Sequence, residues 1–280
     1  MWDEQFGSVK RRGLGVEIEH HYGENVHILA DPVARTRLAK LCSPSTMQPD
    51  INRLVEELYR QLVIDVINQE FPRCRRKVTS RMREVLEANG VDGERGEIGA
   101  EFLDEETPVV SVDIARAGIL PSLTCYNILN GLMNPARVRQ DHLIMSRAVD
   151  AKDRVVGARI SGDKIGGPIE GRYVLFPDPM GATGNSLSTA ITYYKNTFGG
   201  APARLLTLNL IVTPEFIKRI KTDHPEVVMY ALRLDRGMSD PEILKTIPGT
   251  HWAEESGLNG QDYIVPGGGG FGEIMNNAWV

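Results

Sequence analysis

Five short apolar runs, separated by polar segments, dominate the hydrophobic pattern of the second half of the chain. They are PVVSVD (108–113), DHLIMSR (141–147), RYVLFP (172–177), ARLLTLNLIV (203–212) and EVVMYALRLD (226–235). Helical patterns at LSTAITYYKNTF (187–198) and TPEFIKRIKTDHP (213–225) alternate with the last three runs. Continuous apolar strands that alternate with helices are typical of parallel sheets. We therefore predict an α/β fold with an open, mainly parallel twisted sheet and helices on both faces.

The first half of the chain has a different pattern. Residues 51–70 place apolar side chains at helical spacing and predict an amphipathic helix that packs against the sheet or a second subunit. Residues 1–45 are assigned to an N-terminal helical arm, and the Gly- and Pro-punctuated stretch 150–172 to a flap hairpin. Residues 236–273 are assigned to a loop region with an extra segment. With no internal repeat, we expect a single domain over 1–280.

Composition narrows the function classes. The chain has 280 residues, of which 41% are hydrophobic and 25% are charged, as in ordinary soluble globular proteins. A formal charge of −5 argues against a dedicated nucleic-acid or membrane-surface binder, so neither partner is expected. The one basic cluster, RCRRK (73–77), is short, and we interpret it as solvated or substrate-facing surface.

Cysteine and histidine usage bears on the compartment and on metals. Three widely spaced cysteines and an N-terminus without an apolar signal core favour a cytoplasmic location. The six histidines form no HExxH or similar cluster, so no metal site built from protein side chains is expected.

Residues with chemical potential follow three of the predicted strands. Arg116 and Gly118 follow the first strand, Arg147 ends the second, and the segment 178–186 follows the third. Ligands of open α/β sheets bind at the carboxyl ends of the strands. The guanidinium groups of Arg116 and Arg147 suit a pyrophosphate. The plainer interpretation, that these arginines are surface residues, stays open for each taken alone.

The segment 178–186 has the composition of a phosphate-binding loop. Its glycines and the helix behind it offer backbone N–H groups and a helix dipole to a phosphate monoester. The hydroxyls of Thr183 and Ser186 add side-chain donors. Asp178 repels phosphate and instead suits ribose hydroxyls, although a helix-capping or turn role remains the alternative. The Walker A pattern is absent.

Two segments resemble a known family. Asp178-Pro179-Met180-Gly181-Ala182-Thr183-Gly184-Asn185-Ser186 resembles DPMLATGGS, the ribose-phosphate signature of the uracil phosphoribosyltransferases, in which Asp-Pro-Met replaces the paired acids of most other type I phosphoribosyltransferases. Asp262-Tyr263-Ile264-Val265-Pro266-Gly267 resembles the start of the family's uracil loop, YIVPGLGDAGD. Arg116-Ala117-Gly118 matches its RAG segment, and HILADPVARTRLAKL (27–41) matches more loosely. The similarity extends from about residue 27 to 273.

The resemblance implies a type I phosphoribosyltransferase-like fold and a reaction. Uracil N1 is joined to C1′ of phosphoribosyl pyrophosphate to give UMP and pyrophosphate in pyrimidine salvage, with Mg²⁺ as the cofactor. A homodimer or higher homo-oligomer is also implied. Asp178 and Arg116 take the catalytic roles by this analogy. The phosphoribosyl pyrophosphate would be bound by Arg116, Arg147, Asp178, Pro179, Met180, Gly181, Ala182, Thr183, Gly184, Asn185 and Ser186. Uracil would be bound by Tyr263, Ile264, Gly269, Gly270 and Phe271.

Some positions depart from the family pattern. Gly270 stands where the family's first loop aspartate is found, while Glu273 keeps an acid near the later position. The extra segment EILKTIPGTHWAEES (242–256) has no counterpart in the family's short link, and the family's C-terminal RLFGT is not visible. Three alternatives remain: a non-catalytic sensor of a nucleotide or of phosphoribosyl pyrophosphate, a transferase for another base, and an RNA-binding regulator that rests only on RCRRK.

Overall fold

Strands and helices alternate through most of the computed structural model, which describes residues 9–12, 15–149 and 155–278. The strands are β1 (Val9–Arg12), β2 (Gly15–Ile18), β3 (Val26–Ile28), β4 (Arg73–Thr79), β5 (Glu97–Leu103), β6 (Val109–Ala115), β7 (Val138–Val149), β8 (Val155–Lys164), β9 (Tyr173–Pro177), β10 (Met180–Gly181), β11 (Arg204–Val212) and β12 (Val228–Leu234).

The α-helices are α1 (Pro32–Leu41), α2 (Asp50–Glu70), α3 (Met82–Ala88), α4 (Ile119–Leu132), α5 (Asn185–Thr197), α6 (Pro214–Asp223), α7 (Pro241–Leu244) and α8 (Phe271–Ile274). Within the described ranges, none of them combines the length and the apolarity that crossing a membrane requires.

The central sheet has the strand order β3-β12-β11-β9-β6-β7-β8, and β10 adds to β11. Neighbouring strands are parallel except for β8, which runs antiparallel to β7 at the edge. Helices α1, α2 and α4 share a buried cluster with one face, and α5 and α6 share a cluster with the other. The predicted α/β fold, mainly parallel with helices on both faces, is confirmed.

Helix α2 packs on the sheet. The sequence had left open whether its apolar face packs against the sheet or against a second subunit. Its apolar stripe is fully buried at Leu58, Leu62 and Val66. The hydroxyl of Tyr59, also fully buried, donates a hydrogen bond of 3.0 Å to the carbonyl of Leu208 in β11. The amphipathic pattern therefore serves the core of this chain.

Part of the predicted N-terminal arm belongs to the sheet. Strand β3 pairs in parallel with β12, and the side chains of Val26 and Ile28 are each 1% exposed. A three-residue edge strand carries too few apolar positions to stand out in the sequence pattern. Residues 1–8 and 13–14 of the predicted arm lie outside the described residues.

The flap prediction falls on the antiparallel pair β7–β8. Strand β7 continues to Val149 and pairs with β8 over His142↔Lys164 to Val149↔Val155. The hairpin thus begins inside the run that the sequence pattern suggested was a complete strand. Residues 150–154 of the predicted flap are not among those described.

The polar stretch before β6 forms an antiparallel ribbon of β4 and β5 with α3 between them. The basic cluster lies on β4, where Arg75 is paired with Glu101 at 3.1 Å and Lys77 with Glu97 at 2.9 Å. These acids offset much of the positive charge that an RNA-binding role would use, which leaves that alternative without structural support.

The extra segment is packed against the N-terminal part of the chain. The guanidinium of Arg236 is paired with Glu255 at 2.8 Å, and both side chains are almost completely buried. Tyr22 donates its hydroxyl proton to the same carboxylate, and the ring of Trp252 packs edge-on against that of Tyr22 with centroids 5.1 Å apart. The insertion is thus a structured part of the domain.

Candidate active site

The sheet order brings two of the three predicted strand ends together. Strand β9 lies between β6 and β11, so the Arg116 turn and the segment after Pro177 are neighbours. A Cβ on Gly118 would lie 2.7 Å from the carbonyl oxygen of Ile114 and 3.2 Å from that of Pro177. Glycine is therefore required for the turn after β6 to approach the end of β9.

Residues 178–186, here called the phosphate loop, are shaped by two glycines. A Cβ on Gly181 would lie 2.9 Å from both Phe216 and Val212, so β10 can pair with β11 only without a side chain there. Gly184 has a φ of +78° and immediately precedes α5. Gly184 has no side chain to cap α5, and the N–H of Asn185 donates to the Thr183 hydroxyl at 3.3 Å. The other N–H groups of the first turn point out of the helix and suit an anion.

Asp178 is fixed by its backbone at the start of this loop. Its N–H donates to the carbonyl of Leu208 at 3.0 Å, and its own carbonyl accepts from the Asn209 amide at 2.6 Å. The residue is partly exposed, but its carboxylate is surrounded by protein atoms. This burial raises the pKa of Asp178 to about 6, and a long contact of 3.5 Å from the Met180 N–H opposes the rise in pKa. The group is thus an ionised acceptor near neutral pH.

Arg116 follows β6, and its partly exposed side chain extends toward the C-terminal segment. Its Nη1 donates to the carbonyl of Ala278 at 3.2 Å, and its Nη2 lies 4.0 Å from the carboxylate of Glu273. The arginine is close to the loop it was predicted to serve, and donors of its guanidinium face outward.

Arg147 lies elsewhere than predicted. It is three residues beyond Ile144, the last partner of β6, and pairs with Ala158 inside the β7–β8 hairpin. The sequence pattern placed a strand end here because the apolar run stops, but the hairpin partner continues the strand. The side chain of Arg147 is outside the described residues, so its pyrophosphate contact stays a prediction.

Residues 264–270, here called the base loop, are held by a buried ion pair on β12 and just after it. Arg233 and Asp235 pair through two hydrogen bonds of 2.6 and 2.7 Å. The Asp235 carboxylate accepts the N–H of Gly267 at 2.9 Å, and Arg233 donates to the Gly267 carbonyl at 2.9 Å. Both backbone groups of one residue are thereby fixed, which sets the path of the loop.

The predicted uracil-binding residues differ in how far their side chains are exposed. The side chain of Phe271 is 3% exposed and belongs to the core cluster, so only its backbone remains for a ligand. Ile264 packs partly against the same cluster, whereas Tyr263 is 55% exposed. Gly269 and Gly270 lie between Ile264 and Phe271 in the chain, and Gly269 has a φ of +85°.

The two loops meet at Gly268. A Cβ there would lie 3.1 Å from the methyl carbon of Met180 in the phosphate loop and 3.0 Å from the sulfur of Cys42. A cavity of about 400 Å³ opens beside this point. It is lined on one side by Pro266–Gly269 and on the other by Cys42–Pro44 and Thr46–Gln48. The phosphate loop and the base loop thus share one border of the site.

Several residues that shape the site were not found from the sequence. Arg233 and Asp235 resemble ordinary strand-end charges, and nothing in their local pattern indicates the clamp on the base loop. Asn209 did carry a signal, because it is an amide inside the apolar run LLTLNLIV. Its Oδ1 is buried without a partner in the described part of the chain, while its amide nitrogen holds Asp178.

No group of three or more histidine, cysteine, aspartate or glutamate side chains suited to a metal ion occurs among the described residues.

Comparisons with known proteins agree with this geometry. The family model described as uracil phosphoribosyltransferase matches residues 28–253. The uracil phosphoribosyltransferase of Variovorax paradoxus is 24% identical over 250 residues, which are 89% of this chain and 96% of that protein. Those of Caldanaerobacter subterraneus and Thermococcus sibiricus are 36% and 34% identical over 40% and 36% of this chain. These two alignments span only 42% and 34% of the relatives' length.

A solved structure, that of the AQ2163 protein from Aquifex aeolicus, has the same fold. It superposes with a TM-score of 0.66 at 20% identity and covers 91% of this chain and 99% of its own. The family match extends over most of the chain, including the turn after β6 and the phosphate loop. The resemblance inferred from the motifs is confirmed, and the chain belongs to the uracil phosphoribosyltransferase family.

Proposed function

We propose that this protein transfers the phosphoribosyl group of 5-phospho-α-D-ribose 1-diphosphate to uracil and releases UMP and pyrophosphate. The observation that carries the proposal is the contact of the two loops at Met180 and Gly268. A sugar phosphate on the phosphate loop and a base on the base loop would share this border. Bond formation between a sugar carbon and a base nitrogen requires that arrangement.

The phosphate loop binds the 5′-phosphate. The N–H groups of the first turn of α5 and the hydroxyls of Thr183 and Ser186 are the donors. Each helix-terminal contact contributes about 0.3–1 kcal/mol when exposed, so several donors act together. Gly181 and Gly184 let the loop pass close to Val212 and Phe216 and to Arg219, which sets its path around the bound phosphate.

Asp178 and Arg116 act on the two sides of C1′. The ionised carboxylate of Asp178 accepts hydrogen bonds from the ribose hydroxyls. The guanidinium of Arg116 binds the pyrophosphate and stabilises its charge as the C1′–O bond breaks. Uracil N1 forms the new bond to C1′ and loses its proton. The positive charge that develops on the ribose ring is stabilised by positioning and electrostatics, with no covalent intermediate on the protein.

The base loop recognises uracil through its backbone. Uracil presents alternating C=O and N–H groups, which peptide groups complement without a charged side chain. The ion pair of Arg233 and Asp235 keeps the backbone around Gly267 in place for this role. Since the Phe271 side chain is in the core, its contribution is to anchor the loop.

Mg²⁺ belongs to the proposal as a companion of the sugar pyrophosphate. It is usually held by phosphate oxygens, waters and at most one or two carboxylates. This suits a site whose described residues form no metal cage. When bound, the ion neutralises charge on the leaving pyrophosphate.

Assembly and location complete the proposal. Exposed apolar side chains on the β4–β5 ribbon and α3 (Val78, Met82, Val85 and Ile98) favour a homodimer or a higher homo-oligomer. The three cysteines are free thiols, as a cytoplasmic protein would have them.

The test is a direct assay of the product. The pure protein is incubated with phosphoribosyl pyrophosphate, Mg²⁺ and one of uracil, cytosine or hypoxanthine, and the nucleotide is quantified by chromatography. We expect UMP from uracil and no nucleotide from the other two bases. Formation of CMP or IMP at a comparable rate would refute the base specificity.

Arg116→Ala sharpens the assay. It should weaken the binding of phosphoribosyl pyrophosphate much more than that of uracil, because the variant loses a cation that faces the pyrophosphate. Arg75→Ala on the ribbon removes the same charge from a side chain that is 87% exposed and serves as the matched control. Equal losses for both ligands would assign Arg116 a structural role.

A second candidate is a non-catalytic sensor of the sugar pyrophosphate or a nucleotide. Gly270 favours it, because the loop lacks a carboxylate at that position. Thermal stabilisation by phosphoribosyl pyrophosphate or UMP without product from any base would support the sensor over the enzyme.

A further inference from the structure

Two groups of the C-terminal segment hold the guanidinium of Arg116. The carbonyl of Ala278 accepts from Nη1 at 3.2 Å, and the carboxylate of Glu273 lies 4.0 Å from Nη2. An arginine has five N–H donors in a fixed planar fork. One hydrogen bond and one longer ion pair therefore favour one orientation of the fork while other donors remain for an anion, and the Arg116 side chain is still 37% exposed.

Glu273 reaches this position because residue 270 has no side chain. A Cβ on Gly270 would collide with the carboxylate oxygen Oε2 of Glu273. The carbonyl of Gly270 accepts the N–H groups of Glu273 and Ile274 at 3.2 and 3.0 Å, which closes the turn. The acid at 273 thus occupies the space into which a side chain at 270 would extend.

The segment that carries Glu273 is anchored on both sides. Phe271 and Met275 are 3% and 5% exposed and belong to the core cluster. The amide of Gln48, ahead of α2, donates to the carbonyls of Ile274 at 3.3 Å and Met275 at 3.0 Å. Glu273 is therefore presented to Arg116 from a fixed turn.

We propose that Glu273 is the positioning residue of Arg116: its carboxylate orients the guanidinium for pyrophosphate, and it can do so because Gly270 leaves the space free. The inference rests on the proposed function for the role of Arg116. Glu273 acts through Arg116 and does not contact the substrate. An arginine oriented before the ligand arrives loses less conformational entropy on binding, and affinity rises accordingly.

In this proposal, what matters is where the negative charge lies relative to Arg116, and not which residue carries it. The isosteric Glu273→Gln removes the charge but keeps the packing. An aspartate at 270 needs the space that the side chain of residue 273 fills, so it is combined with Glu273→Ala, which vacates that space. The double variant Gly270→Asp/Glu273→Ala should therefore recover what Glu273→Gln loses.

The experiment measures the binding of inorganic pyrophosphate with Mg²⁺ by calorimetry. We expect Glu273→Gln to weaken binding about threefold to fivefold, on the scale of one partly exposed charge pair. The thermal midpoint should be unchanged. Glu87→Gln removes an acid from a 3.0 Å pair with Arg83, whose side chain is about as exposed as that of Arg116 (39% against 37%), and should leave pyrophosphate affinity unchanged. The double variant should return to within about twofold of the wild type.

The Arg116→Ala background separates positioning from general electrostatics. In that background Glu273→Gln should have no further effect on pyrophosphate affinity, because the group it orients is gone. A full additional loss, an unchanged or tighter affinity in the single variant, or no recovery in a folded double variant would each overturn the proposal.

Kinetics distinguish this inference from the proposed function. Glu273→Gln should raise the KM for phosphoribosyl pyrophosphate while the KM for uracil stays within about twofold. A wild-type protein that binds pyrophosphate but forms no UMP would refute the transfer reaction, and the binding series would still decide the role of Glu273. A wild type that binds no pyrophosphate would overturn the inference itself.

Discussion

The phosphate loop and the base loop lie side by side, but they are held in different ways. The phosphate loop is shaped by backbone: β10 pairs with β11, Gly181 allows that approach, and α5 begins directly after Gly184. The base loop has no strand or long helix of its own and is tied at Gly267 to side chains more than thirty residues away. A phosphate site can be encoded within nine consecutive residues, whereas this base site depends on the whole domain.

This difference predicts how each loop responds to mutation. Changes in the phosphate loop act through local sterics and through direct ligand contacts. Changes that affect the base loop act through buried charges, where loss of one partner leaves the other without compensation. The largest effect on stability should therefore come from a residue outside both loops.

Asp235→Asn is expected to have that largest effect. The carboxylate is 3% exposed and accepts from Arg233 and from the Gly267 N–H. Removing its charge leaves the guanidinium of Arg233, which is only 19% exposed, without its charged partner, so the free energy of unfolding should fall by about 3 kcal/mol. Chemical denaturation measures the change, and uracil affinity should fall with it.

Glu242→Gln is the control for Asp235→Asn. It breaks a 2.7 Å pair with Lys245 in which the Glu242 side chain is 79% exposed, and stability should change by less than about 0.5 kcal/mol. Equal effects of the two variants would show that burial does not distinguish the pair on the base loop.

Gly181→Ala tests whether local steric fit shapes the phosphate loop. The new methyl group would lie 2.9 Å from Phe216 and Val212, so the free energy of unfolding should fall by about 2 kcal/mol. Phosphoribosyl pyrophosphate affinity should fall as well, because β10 must shift. Gly199→Ala introduces the same methyl group where no atom lies within 4 Å and should be nearly neutral in both measurements.

The same contrast explains what the sequence could predict. Residues close in the chain determine where the strands β9 and β11 end, at Pro177 and Val212. They also determine the glycines of the phosphate loop and the helix behind it. The pattern therefore indicated the sheet, the loop and the chemistry of Asp178 together. The RAG turn was also found, since Gly118 reports a close approach that only glycine permits.

The features that the sequence could not predict depend on partners that are distant in the chain. Arg147 was placed at a strand end because its apolar run stops there, yet pairing with β8 extends β7 beyond it. Phe271 was assigned to uracil through its backbone, which stays a prediction, but its glycine-rich neighbours gave no sign that its side chain fills the core. The ion pair of Arg233 and Asp235 has no local signal.

Asp178→Asn should stabilise the protein while impairing its function. The pKa of Asp178 is raised from 3.8 to about 6, so the folded state holds this proton more tightly than the unfolded state. Stability therefore falls as pH rises from about 4 through 6, and the asparagine removes that loss. At pH 7.5 the variant should be more stable by about 1 kcal/mol, a reduced figure because the group is partly exposed.

Thermal unfolding at two pH values tests this sign. The difference between Asp178→Asn and the wild type should be larger at pH 7.5 than at pH 4, where both carry an uncharged side chain for most of the time. Ribose 5-phosphate binding should weaken in the variant because a carboxylate accepts the hydroxyl protons better than an amide does. A variant that is destabilised at pH 7.5 would contradict the raised pKa.

Thr183→Val isolates the smallest contribution in the phosphate loop. The threonine hydroxyl accepts from the Asn185 N–H at 3.3 Å, and in the proposed function it donates to the phosphate. Valine keeps the branched shape but loses both hydrogen bonds, so affinity for ribose 5-phosphate should fall about fivefold while stability changes by less than about 1 kcal/mol. Inorganic phosphate and uracil binding are measured beside it. If uracil affinity fell as much as phosphate affinity, the two loops would be energetically coupled through Met180 and Gly268, and the separation between a locally encoded site and a globally held one would fail at their shared border.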